Sequence, residues 1–113
     1  MKNIEFGKIG EEKAIKFLKN NGYEIIERNY KTKIGEIDII ARKKREIIFI
    51  EVKTRSSDNF GMPEEAVNEK KLKKIEKVGN IYLKRKKLDL PYRFEVLSII
   101  KEGKDLKIEI IPI

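Results

Sequence analysis

The amino-acid sequence predicts an α/β fold: a mixed β-sheet flanked by α-helices, in the order α-β-β-β-α-β-β. Three observations carry that expectation. Apolar residues near the N-terminus recur at helical spacing up to a glycine stop, and five short isoleucine-rich runs have the length and alternation of strands. A second long helical pattern then separates the third strand from the fourth, which makes room for the crossover that parallel neighbours need. With 113 residues, 40% of them hydrophobic, the chain reads as one domain over 1–113 with enough apolar side chains for a core, although 41% of residues are charged.

The first helix is expected from Ile4 to Asn21, where Ile9, Ala14, Ile15, Phe17 and Leu18 form the apolar stripe. Asn20-Asn21-Gly22 is its stop signal, with Gly22 in the position after the cap that favours a left-handed backbone. Tyr23 to Tyr30, Gly35 to Arg42 and Glu46 to Thr54 read as strands one to three. Lys43-Lys44-Arg45 must turn the chain between the last two, without the Asn-Gly pair that usually marks a tight hairpin. Arg55 to Pro63 is polar and punctuated by Gly61 and Pro63, so a loop is expected there. The second helix is expected from Glu64 to Arg85, with Ala66, Val67, Ile75, Val78, Tyr82 and Leu83 turned inward and Gly79 weakening its continuity. Tyr92 to Ile100 and Leu106 to Ile111 complete the sheet, joined through Lys101-Glu102-Gly103-Lys104.

Composition narrows the chemistry. The chain has no cysteine and no histidine, which removes disulfides, thiolates, the usual general base and the usual zinc ligand. Carboxylates and lysines must carry any reaction, and a carboxylate site favours a hard cation, Mg²⁺ or Mn²⁺. A net charge of +8 would attract a polyanion such as nucleic acid. Abundant Lys, Glu and Ile equally suit a protein made for high temperature, so charge alone leaves both readings open. No apolar run approaches the roughly 18 residues of a membrane span, and the N-terminus lacks a secretory pattern, so a cytoplasmic protein without a membrane partner is expected.

One constellation stands out on strands two and three. Glu36 and Asp38 are two residues apart on the first, Glu51 and Lys53 on the second, and by alternation each pair shares a face. A turn on Lys44-Arg45 sets Lys43 opposite Glu46, and counting outward sets Asp38 opposite Glu51 and Glu36 opposite Lys53. Opposed Cβ atoms lie about 4.5 to 5.5 Å apart, close enough for two carboxylates to share one cation. Two such acids repel unless a cation or proton separates them. A metal held by Asp38, Glu51 and the Val52 carbonyl would polarise a phosphoryl oxygen and activate water, while Lys53 stabilises developing charge. Alternating charge is also what a half-exposed amphipathic hairpin shows, so the spacing alone leaves that plainer reading standing. Ile37, Ile39, Ile48, Ile50 and Val52 on the other face, with Ile40 and Phe49 interrupting the alternation, favour central strands covered on both faces, where an acid without a partner is costly.

Helix one adds Glu11, which precedes Ala14, Ile15 and Leu18 by three, four and seven residues and so lies along the inward stripe. It is either a further metal ligand or a first-turn acid favoured by the helix dipole. Arg55 and Ser56, just after the third strand, are candidates for contacting nucleic acid near a cleaved bond. Lys70, Lys71, Lys73, Lys74 and Lys77 on helix two, with Lys84 to Lys87 beyond it, either grip phosphates or form a solvated helix face.

Gly10-Glu11 with Ala14 and Leu18, Gly22-Tyr23, Arg28-Asn29-Tyr30, Gly35-Glu36-Ile37-Asp38-Ile39-Ile40, Phe49 to Arg55 and Phe60-Gly61 together resemble the YraN family, also called UPF0102. The likeness spans nearly the whole chain, and its specificity lies in the order and spacing of otherwise ordinary motifs. That family is regarded as endonuclease-like, similar to archaeal Holliday junction resolvases and to the restriction-endonuclease-like superfamily with its PD-(D/E)xK site. The resemblance implies a restriction-endonuclease-like mixed sheet, Asp38 and Glu51 as metal ligands, Lys53 as the catalytic lysine and Glu11 as the match to the resolvases' helix-one glutamate. Glu36 lies in the same motif. The resemblance further implies a Mg²⁺-dependent endonuclease acting on DNA, branched or otherwise structured, often as a homodimer. The alternative is a nucleic-acid-binding module that kept the fold without the chemistry. Two departures are present: Ile37-Asp38 replaces a proline-aspartate pair, and Arg93-Phe94-Glu95 replaces Arg-Phe-Asp, so no role is assigned to Glu95.

Overall fold

The computed structural model describes residues 2–56 and 69–113, with side chains from Ile9 onward. Helix α1 (Lys2–Asn20) begins slightly before its apolar stripe and stops where the sequence demands. Gly22 takes φ +86°, its N–H donates to the Lys19 carbonyl at 3.2 Å and the Tyr23 N–H donates to Leu18 at 2.9 Å. That pair of bonds is a Schellman closure, which needs a left-handed residue and so favours glycine. Helix α2 (Glu69–Arg85) closes in the same way through Lys87 at φ 52°, with Lys87 N–H on Lys84 and Leu88 N–H on Leu83.

The strands are β1 (Glu24–Lys31), β2 (Glu36–Lys43), β3 (Glu46–Ser56), β4 (Tyr92–Glu102) and β5 (Asp105–Pro112). They form one mixed sheet in sequence order, antiparallel except for β3 and β4, which run parallel through the crossover that carries α2. The β2–β3 turn is the two-residue one on Lys44-Arg45; Lys44 takes φ 57°, and the Arg42 side chain donates to its carbonyl at 3.1 Å.

Alternation along β3 sorts the interior into two layers. Ile48 and Ile50 face α1 and pack with Ala14, Ile15, Leu18, Ile39 and Leu97, while Ile47 and Phe49 face α2 and pack with Ile75, Val78, Tyr82 and Val96. Both sheet faces are therefore covered, which accounts for the near-continuous apolar runs of β2 and β3. Gly79 does not interrupt α2. A Cβ there would lie 3.0 to 3.2 Å from three atoms of the Phe49 ring, so this glycine lets the helix sit close to the sheet.

One boundary differs from expectation. Arg55 and Ser56 are not in a loop but are the last residues of β3, paired with Ile100 and Lys101, because the parallel ladder with β4 continues after β2 has left. The expected start of the second helix, with Ala66 and Val67, and the Phe60, Gly61 and Pro63 positions lie outside the described residues.

Candidate metal centre

The β2–β3 ladder follows the register expected from the turn, Lys43 with Glu46 through to Ile39 with Ile50, and stops there. Asp38 with Glu51, and Glu36 with Lys53, are not ladder pairs. The cause lies on β1. Asn29, which sits between the Arg28–Ile39 and Tyr30–Ile37 pairs and hence across from Asp38, takes the left-handed φ of 52°. Asparagine tolerates that conformation, and it breaks the strand's alternation. Arg28 and Ile39 point to the α1 side, the first onto Glu12 at 3.0 Å and the second into the α1 cluster, whereas Tyr30 and Ile37 join the α2 cluster.

Asp38 stands where the strand changes faces, so plain alternation fails for Ile37, although Glu36 and Asp38 still line one cleft. Its carboxylate reaches across to accept the Val52 N–H at 2.8 Å. Glu36 is exposed and pairs in the β1 ladder with Lys31.

The acids that were expected to meet are nevertheless electrostatic neighbours. Burial pushes the Asp38 carboxyl up to about 6, the Glu51 charge pushes the same way, and Glu36 and Glu11 add to it against the Val52 hydrogen bond. Glu51, with a side chain only 13% exposed, is met by two ammonium groups: Lys71 Nζ at 3.0 Å and Lys53 Nζ at 4.0 Å from the same oxygen. The neighbouring Lys71, with help from burial, holds Lys53 below the ordinary lysine range. Burial opposes the charge on Lys71 itself, but Glu51, Lys53 and Asp38 outweigh it and leave Lys71 above that range.

A cleft of about 220 Å³ opens at this point, lined by Gly35, Glu36, Asp38, Glu51, Lys71 and Lys74 with Ile75 and Val78 as its apolar floor. Its donors are oxygen atoms, which suit Mg²⁺ or Mn²⁺. Mg²⁺ in particular needs only one or two protein carboxylates and takes its remaining ligands from water and phosphate. Among the described residues no group of three acidic side chains is placed to hold an ion. Glu11 is close enough to act on the Asp38 charge, but its carboxylate is 3.9 Å from Arg28, and the salt bridge of Glu12 to the same guanidinium is shorter at 3.0 Å.

The other expected site residues are dispersed. Lys70 and Lys74 are exposed on α2, with Lys74 at the cleft, while Arg55 and Ser56 are half-buried at the end of β3. The sequence groups Lys71 with the phosphate-gripping lysines, and the structure shows its ammonium on Glu51 at 3.0 Å. The sequence held no local signal for this, since the two are joined only through the packing of α2 on the sheet. Glu95 also gains a place, away from the cleft: its buried carboxylate accepts the Tyr23 hydroxyl at 2.8 Å and Arg93 Nε at 3.0 Å, and Arg93 also bonds Glu46.

Known proteins are similar to this chain over nearly its full length. A UPF0102 protein of Dictyoglomus turgidum is 47% identical, with the alignment covering 99% of this chain and 98% of that protein. One from Caldicellulosiruptor saccharolyticus is 42% identical over 97% and 94%, and one from Flavobacterium psychrophilum 42% over 93% and 88%. The family model for UPF0102, described as an uncharacterised protein family, matches residues 10–99, a span that holds Glu11, the cleft acids Glu36, Asp38 and Glu51, and Lys53 and Lys71. By that match and by these identities over nearly the full length, the chain belongs to the UPF0102 family.

Proposed function

We propose that this protein is a Mg²⁺- or Mn²⁺-dependent endonuclease that hydrolyses phosphodiester bonds in DNA, with branched or otherwise structured DNA as its substrate class. The observation that carries the reading is the half-buried Asp38 carboxyl, tied to the Val52 N–H and pushed up by burial and by the Glu51 charge at the mouth of a lysine-lined cleft. Acids kept together at such cost are candidates for function rather than for packing.

Asp38 and Glu51 would hold the cation with the Val52 carbonyl. When bound, that cation supplies Lewis-acid polarisation of the phosphoryl oxygen and lowers the pKa of water. The chain's own groups do the rest. Lys53, held below the ordinary lysine range, orients the attacking water or stabilises the charge that develops on the phosphate. Arg55, Ser56, Lys70 and Lys74 flank the cleft and the end of β3, where they would meet the sugar-phosphate backbone without reading sequence. A homodimer on the nucleic acid and a cytoplasmic location belong to the same reading. No helix among the described residues is long and apolar enough to cross a membrane.

A second reading has its own observation. Glu51 is already neutralised by Lys71 at 3.0 Å, an arrangement that a non-catalytic nucleic-acid-binding module could keep. Incubation of junction, flap and duplex DNA with the wild type and Asp38→Ala, in Mg²⁺, Mn²⁺ or EDTA, separates the two. The nuclease reading expects metal-dependent cutting by the wild type, reduced about 100-fold or more in the variant. No metal-dependent cutting, or equal cutting by both, overturns it; salt-sensitive DNA binding indifferent to metal would then support the binding module.

A further inference from the structure

The position of Lys71 is the least expected feature of the cleft. Its ammonium comes from α2, the helix across the cleft, and lies closer to Glu51 than does Lys53 on Glu51's own strand, 3.0 Å against 4.0 Å. Two carboxylates, Asp38 and Glu51, thus face two ammonium groups, Lys53 and Lys71, with Glu36 and Lys74 as one further acid and one further ammonium on the cleft lining, so without a metal the charges balance. The balance is local and geometric: Glu51 is nearly enclosed, and Lys71 remains more than a third exposed at the rim. A divalent cation at the acids adds two positive charges where two ammonium groups already stand. Like charges at such separations repel strongly in a partly buried setting. Of the two ammonium groups, Lys71 is the one that lines the cleft beside Lys74, and it would be the one to move when a cation takes Glu51.

We propose that Lys71 is a tethered place-holder cation, which neutralises Glu51 while no metal is bound and turns to the nucleic-acid phosphate when a divalent cation takes Glu51. This rests on the metal-site reading above and deepens it by coupling metal binding to phosphate binding. The displaced ammonium would stand at the mouth of the cleft, where a phosphate bridging to the cation would arrive. Lysine suits this double use, since its ammonium is a compact charge on a flexible stem.

Mn²⁺ binding measured by isothermal titration calorimetry, without nucleic acid, tests the place-holder directly. Four proteins are compared: wild type, Lys71→Met, Lys71→Arg, and Lys77→Met, which removes an equal charge from the same helix outside the cleft. Lys71→Met is expected to bind Mn²⁺ about fivefold more tightly than wild type, the upper range for a partly exposed ion pair that no longer competes. Lys71→Arg and Lys77→Met are expected to stay within about twofold of wild type. In Mn²⁺, the Lys71→Met protein is further expected to bind a non-hydrolysable phosphorothioate duplex more weakly than wild type.

Circular dichroism establishes that each variant is folded. Mn²⁺ binding by wild type with no gain in Lys71→Met, or an equal gain in Lys77→Met, overturns the place-holder and leaves the metal site standing. Absence of Mn²⁺ binding in every protein overturns the metal-site reading itself.

Discussion

The Asp38 carboxylate accepts the Val52 N–H at 2.8 Å, just beyond Ile39 and Ile50, the last pair of the β2–β3 ladder. The side chain of one strand thereby holds the main chain of the next at the point where the two strands part. An acid so placed serves the fold through its hydrogen bond and opposes it through its charge, and the two effects can be separated.

Replacing Asp38 by asparagine keeps an oxygen that can accept the Val52 N–H and removes the repulsion from Glu51, Glu36 and Glu11. In EDTA at pH 7.5, Asp38→Asn is expected to melt at or above the wild-type temperature, the pattern of a site that trades stability for function. Any stabilisation by Mn²⁺ should disappear in the same variant. Thermal melts with and without Mn²⁺ measure both effects, and a lower melting temperature together with a preserved Mn²⁺ shift would contradict the assignment.

The raised Asp38 pKa sets the direction of a pH dependence. An acid at about 6 in the folded state, above its unfolded value of 3.8, binds its proton more tightly when folded. Its contribution to stability is therefore fully present below the unfolded value and is lost as pH rises through about 6. The loss is of the order of 2 kcal/mol once partial solvent screening is allowed for. Metal affinity should run the other way, rising with pH up to about 6 and then levelling as Asp38 ionises. Denaturant melts from pH 4.5 to 8, comparing wild type with Asp38→Asn, isolate this contribution because the variant should lack it.

The buried Glu95 gives a test of fold without chemistry. Removing it in Glu95→Ala leaves the Tyr23 hydroxyl without its acceptor and Arg93 with Glu46 alone, and should cost about 2 kcal/mol. Tyr23→Phe, which leaves the Arg93 pair in place, should cost about 1 kcal/mol. Both variants, assayed below their melting temperatures, are expected to retain Mn²⁺ affinity within about twofold of wild type, since the network lies outside the cleft lining. A large loss of metal binding in Tyr23→Phe would show that the network supports the site after all.

Helix α1 is held against β3 at Gly10, where an added Cβ would lie 2.8 Å from Thr54 Cγ2. Alanine gains about 1 kcal/mol in helix propensity over glycine. Overpacking costs about 1 to 3 kcal/mol, and a β-branched side chain on a strand cannot easily move aside. Gly10→Ala is therefore expected to lower stability in chemical denaturation, with an unchanged m-value; a stabilised variant would show that the helix can shift on the sheet.

How much of this was legible in the chain follows from the range of the interactions. The stop at Gly22 depends on residues within one or two turns of backbone, so short-range sterics express it directly in the sequence, whereas the turn on Lys44-Arg45 lacks an Asn-Gly pair and puts a lysine at φ 57°, so its place could only be assumed. The two covered faces of β2 and β3 could be read from their isoleucine runs, because a strand buried on both sides needs apolar residues at odd and even positions alike. The register counted outward from the turn holds as far as Ile39 and Ile50. It fails at Asp38 because one left-handed residue on the neighbouring strand, Asn29, changes the faces there, and nothing in β2 or β3 encodes that.

By itself, then, the sequence determined the element order and the mixed sheet, while the hairpin register, and with it the proximity of two acids to a lysine, rested on an assumed turn that the structure bears out as far as Ile39 and Ile50. Only the tertiary structure decided that Lys71 of α2 would meet Glu51 and that Tyr23 would meet Glu95, partners 20 and 72 residues apart. The physical reason is the same for both. Local periodicity specifies which side of an element turns inward, but the azimuth and height at which a helix or a neighbouring strand is laid against the sheet come from the packing of the whole core, and with them the partner that each inward charge finds.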